Sequence, residues 1–424
     1  MYPRFSLRGL SSLRILVITS FCIGYGLVPL PARGLYRKPR IRTITAFVRI
    51  EPSQSQSQIE QAVGMLRRAK TAFEKRGYEV QTTRITTQPF AQYVGKRSVA
   101  EALDLFKNLE ELSRKDSFLL NIGPLAPPVL ADATKLELLS LALGATKVNA
   151  SLVVADEGGV HWSAVRAAAQ VIKYLEDHSP NGANNFDFAA VAMVPPYTPF
   201  FPASNHDGAG HQFSVGWEAG AFVYDVVAGA NGDMQVAKEL LEREFEREAQ
   251  VIDAIATQIE GETAWRYMGL DPTPAPISDS SIAAAMETLS RAKFGAMGTL
   301  SAAAVITEAV HSISVKRVGF SGLMLPVLED PVLAERWTEG TFDLDSLLAY
   351  SAVCGTGLDT IPLPGDVSQQ QLERIIGDMA SLAFKWRKPL TARLIPAPGK
   401  KPGERTDFNF GVPGFPNTTV KALR

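Results

Sequence analysis

The sequence predicts an α/β protein that folds as one large, barrel-like domain. Segments rich in β-branched residues alternate with segments of helical periodicity through the first half of the 424-residue chain, which indicates βα units and a parallel sheet. The second half is richer in helical patterns, and the proline-rich stretches at 195–202 and 271–276 are too short to separate domains. An open doubly wound sheet and a closed barrel both fit this alternation.

Strands and helices follow one another along the first half. A strand predicted at 40–50 precedes a helix in which Ser57 and Glu60 have capping-box spacing and which Gly77 ends. Further strands are predicted at 78–86, 117–123, 149–156 and 186–194, and further helices near 98–114, 131–143 and 162–177. Later patterns predict helices at 234–260, 280–293, 299–313, 343–353 and 368–386.

The composition excludes several classes of protein. Lys and Arg number 43 against 44 Asp and Glu, so no excess of positive charge is available for nucleic acid or for an anionic membrane surface. Two cysteines cannot build a disulfide framework or a cysteine-rich zinc site. The expected partner is therefore a small molecule, and assembly into a homo-oligomer is compatible with these numbers.

The first 36 residues have the composition of a targeting segment. Arg4, Arg8 and Arg14 precede an uncharged apolar run at 15–32, which predicts a secretory signal peptide or an uncleaved membrane anchor. The alternative is a start codon assigned too early, with the protein beginning near Arg40. The first interpretation predicts an exported or membrane-anchored protein and the second a cytoplasmic one, with the folded domain at 37–424 in both.

Loops of unusual composition are the candidates for a functional site, because the loops after the carboxyl ends of parallel strands gather at one face. Their candidate side chains are mostly acids. They are His206 and Glu218 in 195–220, Asp271 in 269–276, Glu329 and Asp330 in 317–337, and Cys354 and Asp359 in 352–366. Imidazole and carboxylate groups suit a divalent metal or an acid/base pair.

Each candidate also has a structural interpretation. His206 would be a solvated histidine in a proline-stiffened loop, Asp271 a turn former and Asp330 a helix N-cap. Cys354 would be a small buried apolar residue. The chain has no Gly-x-Ser-x-Gly elbow, no His-Glu-x-x-His helix and no dinucleotide fingerprint after a strand.

Seven motifs in a fixed order resemble one known family. They are IRTITAFVRI, FFPASNH, FSVGWEAG, GLDPTPAP, GFSGLMLPVLED, AVCGTGLDTIPLPGD and KPLTARLIPAPGK. Together they are similar to the domain of unknown function 711 family over roughly residues 40–401, nearly all of the chain after the leader. Each motif alone is weak evidence for the family, whereas the seven motifs in this order are specific to it.

The resemblance implies a fold similar to the pyruvate formate-lyase and anaerobic ribonucleotide reductase group, an α/β barrel of about ten strands entered by a loop from one end. In glycyl-radical enzymes a cysteine on that loop becomes a thiyl radical, and Cys354 occupies a similar glycine-rich turn. Those enzymes also carry an Arg-Val-x-Gly-aromatic motif near the carboxyl terminus. Here GVPGF at 411–415 lacks the arginine, so radical chemistry is the least favoured function.

The positions that match the family's motifs carry the expected site. Asp359, Cys354 and Glu329 are expected to be catalytic, His206, Asp271 and Asp330 to bind ligand, and His206, Glu218 and Asp271 to hold a divalent metal such as Mg, Mn or Ca. Cys354 is expected within reach of His206, Asp271 or Glu329.

The expected function is an enzyme, a hydrolase or lyase, that acts on a small polar molecule in the barrel mouth by metal-assisted or carboxylate acid/base chemistry. The alternative is a non-catalytic small-molecule binding protein on the same scaffold.

Overall fold

The structure is a computed structural model that describes residues 36–353, 355–411 and 414–423. The chain divides into two compact units, and every described residue belongs to the second, Tyr36–Arg424. The predicted targeting segment up to residue 35 and Cys354 lie outside the described residues. Among the described helices, none is both long enough and apolar enough to span a bilayer.

The strands of the described residues form a single ten-stranded sheet. They are β1 (Arg40–Val48), β2 (Val80–Thr87), β3 (Leu119–Leu125), β4 (Asn149–Asp156), β5 (Gly159–Val160), β6 (Phe188–Ala192), β7 (Gln212–Glu218), β8 (Arg266–Ala275), β9 (Gly357–Pro364) and β10 (Leu390–Ala397). The strand order is β8-β7-β1-β2-β3-β4-β6-β10-β9, with β5 paired to β4. The predicted α/β class with one large sheet is confirmed, and the pairings form a path that ends at β8 and β9.

The helices connect these strands. They are α1 (Ser55–Lys75), α2 (Phe90–Val94), α3 (Val99–Asp116), α4 (Ala133–Ala145), α5 (Trp162–His178), α6 (Gly220–Ala228), α7 (Met234–Glu262), α8 (Ile282–Ser290), α9 (Thr299–Ser312), α10 (Pro331–Glu339), α11 (Leu344–Ser351) and α12 (Gln369–Trp386). Helix α1 begins after Gln54, and the Ser57 hydroxyl donates to the Gln54 carbonyl, so the predicted capping box is wrong.

The sheet is mixed rather than parallel throughout. Strands β1, β2, β3, β4 and β6 are parallel neighbours, as the βα pattern predicts. Strand β7 is antiparallel to β1, and β10 is antiparallel to β6. The parallel pairs β7–β8 and β10–β9 therefore flank the central five strands and run in the opposite direction.

The sequence pattern missed the four strands β7 to β10, which run the opposite way, and also the two-residue β5, which is antiparallel to β4. The segments at 269–276 and 352–366 were expected to be loops, but they contribute to β8 and β9. Both strands contain two prolines, at 272 and 274 in β8 and at 362 and 364 in β9. Proline cannot donate to a ladder, and these strands tolerate it because they end the path of pairings.

The two faces of the sheet pack against different structures. On β6, Ala190 and Ala192 belong to the large core that the helices cover. Ala189 and Val191 point the other way, into a small apolar cluster that also contains Ala275 of β8. Since five strands separate β6 from β8, the presence of residues from both strands in one cluster indicates that the sheet curves and that its inner face is concave.

Candidate functional site

The segment that connects β6 to β7 fills part of the concave face. Polar side chains of the central strands hold it in place: the Thr45 hydroxyl donates to the carbonyl of Pro199 (2.9 Å), and the Asn121 amide donates to that of Pro202 (2.8 Å). The part of the predicted site loop at 195–220 that precedes β7 thus lies against the inner face of the sheet, whereas Gln212–Glu218 form β7 instead of a loop.

His206 ends this packed part of the loop. Its Nε2 atom lies 3.1 Å from the Val48 carbonyl, and its ring centroid lies 5.8 Å from that of Phe47. The residue is 3% exposed, and its Nδ1 atom has no hydrogen-bond partner among the described residues. Burial lowers the pKa of His206 to about 4, so the imidazole is neutral at physiological pH.

We expect His206 to remain neutral from pH 5 to pH 8, with the proton on Nε2, where it faces the Val48 carbonyl. The pKa of His206 is about 4 in the folded protein and about 6.5 in the unfolded chain. As the pH falls below 6.5, the unfolded chain therefore binds a proton that the folded protein does not, and His206 lowers the stability of the fold. Ring nitrogen chemical shifts, assigned with a His206→Asn variant, measure this directly. A titration midpoint near pH 6.5 would contradict the buried geometry.

Asp271 lies in β8, and its carboxylate connects this strand to the turn at 319–322. Its carboxylate accepts hydrogen bonds from the backbone N–H groups of Phe320 (2.8 Å) and Ser321 (3.0 Å), and from both the N–H and the hydroxyl of Thr273. Burial raises the pKa of Asp271 to about 6, and these hydrogen bonds oppose the shift. Gly319 is obligatory beside it, because a Cβ there would lie 2.0 Å from the Asp271 carboxylate. The predicted ligand role of Asp271 gains no support from these contacts.

Glu218 is buried at the end of β7 and is held by its neighbours. The Ser280 hydroxyl donates to one carboxylate oxygen, and Arg40 Nε donates to the other. Arg40 also pairs with Asp279 (2.7 Å). Burial raises the pKa of Glu218, and the Ser280 and Arg40 contacts lower it. These contacts pin the start of β1 to the end of β7.

Asp330 caps two helices at once. It is the N-cap of α10, where its carboxylate accepts from the N–H groups of Val332 and Leu333. The same carboxylate accepts from the Ser281 hydroxyl and from the N–H groups of Ile282 and Ala283, at the start of α8. The contacts support the capping interpretation of Asp330 and not the predicted ligand role.

The predicted metal set does not come together. His206, Glu218 and Asp271 each contact separate protein groups, as described above. Within residues 36–353, 355–411 and 414–423, no group of three or more histidine, cysteine or acidic side chains is arranged to hold a metal ion. The contacts of these side chains are those of structural anchors.

Glu329 and Asp359 do come together, around one guanidinium. Arg393 Nη1 donates to Glu329 Oε1 (2.8 Å) and to Asp359 Oδ1 (3.3 Å), and Arg42 Nη2 lies 3.7 Å from Glu329 Oε2. All of these side chains are largely buried on the concave side. Burial raises the pKa of Asp359 to about 6; Arg393 lowers it and the nearby Glu329 raises it further.

Two irregularities in the ladders position these groups. On β9, Asp359 and Thr360 together face the single residue Arg393 of β10, and Thr360 has a left-handed φ of 46°. On β1, Arg42 is the extra residue of a bulge, because Ile41 and Thr43 pair with consecutive residues of β7. Bulges redirect side chains and a β-branched residue at positive φ is strained, both of which are common next to active sites.

A third arginine lies near Arg42 and Arg393. Arg84 of β2 is 4% exposed, donates from Nε to Thr82 Oγ1 (3.1 Å), and places its guanidinium 4.9 Å from the ring centroid of Phe201. It forms no ion pair among the described residues, and burial followed by the charge of Arg42 lowers its pKa. We call Arg42, Arg84, Arg393, Glu329 and Asp359 the charged centre.

The arginines of the charged centre were absent from the sequence prediction. The available signal was a charged residue within an otherwise uncharged buried strand, as in RIRTITAFV, VQTTRITT and LTARLIPA. A charge there requires a partner inside the protein. Cys354, predicted to be catalytic, lies outside the described residues; the adjacent Gly355 donates its N–H to the Leu323 carbonyl (2.9 Å).

Comparison with known proteins assigns a family. The profile of the family described as "Uncharacterised ACR (DUF711)" matches residues 36–409. Proteins named "UPF0210 protein" are similar: that of Pyrobaculum islandicum is 29% identical over 403 residues, covering 88% of each chain, and that of Desulforudis audaxviator is 30% identical over 356 residues, covering 78% of this chain and 77% of the relative. The chain therefore belongs to the DUF711 family.

Proposed function

We propose that this protein is an enzyme that carries out carboxylate acid/base chemistry on a small polar molecule at the charged centre. The observation that carries the proposal is the sharing of Arg393 by two buried carboxylates, Glu329 and Asp359. Two carboxylates in one site with different environments are a common basis for separate acid and base roles.

The environments of the two carboxylates suggest their roles. Asp359 has a pKa raised to about 6 by burial, so it keeps its proton closer to neutral pH than an ordinary aspartate does and suits the acid role. Glu329 forms ion pairs with both Arg42 and Arg393, and we assign it the base role because it is the second carboxylate on the same guanidinium. Arg393 connects the two groups and acts as a positioning residue.

The shape of the sheet supports an enclosed reaction site. The segment at 317–327 meets both ends of the strand path, through a parallel bridge between Leu270 and Arg317 and another between Pro326 and Asp359. This arrangement favours a barrel closed by an irregular segment, as the resemblance to the pyruvate formate-lyase group implies. The charged centre would then lie inside it, where water is scarce and charges interact strongly.

Turnover by site variants tests the proposal. Full-length protein is incubated with a mixture of small polar metabolites, and substrate loss and product formation are followed by mass spectrometry. We expect Asp359→Asn and Glu329→Gln each to lower the rate by about 10²–10⁴-fold, the usual contribution of a general acid or base. The wild-type pH profile should inflect near pH 6, and Asp359→Asn should lose that inflection.

Glu239→Gln is the matched control, because Glu239 is exposed on α7 and its side chain accepts a hydrogen bond from Gln235, far from any group of the charged centre in sequence. It should convert substrate at the wild-type rate. Retention of a bound metabolite without conversion, to the same extent in wild type and in both site variants, would instead favour a non-catalytic binding protein and contradict the proposal.

A further inference from the structure

We propose that the small molecule is an anion and that Arg84, assisted by Arg42 and Arg393, binds its carboxylate or phosphoryl oxygens. This inference rests on the proposed function only in placing the ligand at the same charged centre. It names a residue for ligand recognition and the chemical class that this residue selects.

The observation behind this proposal is that Arg84 is buried and forms no ion pair within the part of the chain that the structure describes. Its Nε donates to Thr82 Oγ1 and its guanidinium lies over the Phe201 ring, but its two Nη groups donate to no described residue. An arginine with 4% of its surface exposed is normally paired with a carboxylate. Thr82 and Phe201 orient the planar fork, whose free edge fits two oxygens of a carboxylate or phosphate.

The charge balance of the centre also favours an anionic ligand. Arg42, Arg84 and Arg393 carry three positive charges, against two negative charges on Glu329 and Asp359 when both are ionised. Protonation of Asp359 increases the positive excess. A buried excess of charge is costly, and a bound anion would remove that cost while gaining charge-assisted hydrogen bonds.

The charges around the centre are themselves paired or exposed. Arg40 and Glu218 pair with each other, and Arg40 also pairs with Asp279, whose exposed carboxylate is solvated. Asp187 interacts with both Lys147 and Arg393, and burial raises its pKa to about 6. The buried side chains of the charged centre therefore carry more positive than negative charge among themselves.

The Arg42 end of the centre is its most exposed part. The Arg42 side chain is 15% exposed, and that of the neighbouring Arg40 is 24% exposed. An anion that enters there meets positive charge first, which favours its capture over that of a neutral or cationic molecule.

Equilibrium binding to the full-length protein tests the proposal. Inorganic phosphate and succinate are titrated separately at constant ionic strength, and heat of binding and the shift in melting temperature are recorded. We expect at least one of the two anions to bind, and Arg84→Met to weaken that binding at least tenfold. Arg84→Lys, which keeps the charge but loses the fork, should weaken it less. The anion that binds more tightly identifies the ligand's acidic group.

The stability of the ligand-free variant separates a binding role from a structural one. Arg84→Met removes a buried charge that has no carboxylate partner among the described residues, and this gain should outweigh the lost Thr82 hydrogen bond and Phe201 contact. The Arg84→Met protein without added anion should therefore melt at or above the wild-type temperature. The exposed control Arg387→Met should bind the anion as the wild type does. The proposal is overturned if neither anion binds the wild type, if Arg84→Met binds as tightly as the wild type, or if Arg84→Met lowers the melting temperature without changing the anion response.

Failure here can be told apart from failure of the acid/base proposal. If Asp359→Asn abolishes turnover while Arg84→Met still binds the anion as tightly as the wild type, the ligand inference is wrong and the enzyme proposal stands. If Arg84→Met no longer binds the anion while Asp359→Asn and Glu329→Gln retain full turnover, the enzyme proposal is wrong and the ligand inference stands.

Discussion

Replacement of Arg393 by methionine is expected to lower the free energy of unfolding by about 3–5 kcal/mol at pH 8, the usual effect of removing one partner of a buried ion pair. The variant leaves Glu329 and Asp359 buried without the guanidinium that both contact. It also removes the group that stacks on Phe186, 3.8 Å from the ring centroid. Denaturant-induced unfolding of the full-length protein measures the loss.

The loss should depend on pH. In the wild type the folded-state pKa of Asp359 is about 6, above its ordinary value, so this group's contribution to stability is fully present below about pH 4 and declines as pH rises through 6. Without Arg393 that pKa rises further, because the guanidinium charge lowers it. The destabilisation should therefore be smaller at pH 5 than at pH 8, and an equal loss at both would mean that packing alone explains the effect.

Arg387→Met is the matched control for charge and side-chain volume. Arg387 and its partner Glu157 are both exposed, so their ion pair should contribute less than about 1 kcal/mol. A triple variant with Arg393→Met, Glu329→Gln and Asp359→Asn should recover part of the lost stability, since it no longer buries unpaired charge. If the triple variant is less stable than Arg393→Met at pH 8, the charge explanation is wrong.

Replacement of Asp330 by alanine is expected to cost at least about 3 kcal/mol, because each lost cap contributes about 1–2 kcal/mol and buried donors are left unpaired. The fully buried carboxylate caps α8 and α10 together. Loss of this one side chain should therefore weaken both helix starts and the contact between them. Thermal and denaturant unfolding measure the effect.

Asp233→Ala is the control for an ordinary cap. Asp233 is exposed and caps only α7, by accepting from the N–H groups of Gln235 and Val236, so its loss should cost about 1 kcal/mol. Asp330→Asn keeps one acceptor oxygen and should fall between the wild type and Asp330→Ala. Equal effects of Asp233→Ala and Asp330→Ala would contradict the double-cap assignment.

Local patterns were enough to predict the α/β class and most elements of the first half. Periodicity alone predicts β1 to β4 and β6 and their helices, because each strand is a short β-branched run and each helix has one apolar face. The same reasoning offered capping as one role of Asp330, since an acid before a proline at the first helical position is a local signal. It also selected Glu329 and Asp359 as members of the site.

The strands after residue 210 could not be predicted in the same way. Strands β8 and β9 contain prolines that read as loop signals, and they become strands only because each has a single long neighbour in the sheet. The directions of β7 to β10 depend on which strand each one meets, and the chain separates some of those partners by about 200 residues. Pairing of this kind is a property of the whole fold.

The sequence by itself determined the class of the protein, its principal helices and the two acids of its candidate site. Only the tertiary structure decided which side chains share that site. Arg42 and Arg393 lie near opposite ends of the chain, yet both contact Glu329 because the sheet curves and places β1 and β10 around one concave face. The tertiary structure likewise decided that Arg84 has no acidic partner among residues 36–353, 355–411 and 414–423, because an ion pair depends on distances in space that the order of residues does not contain.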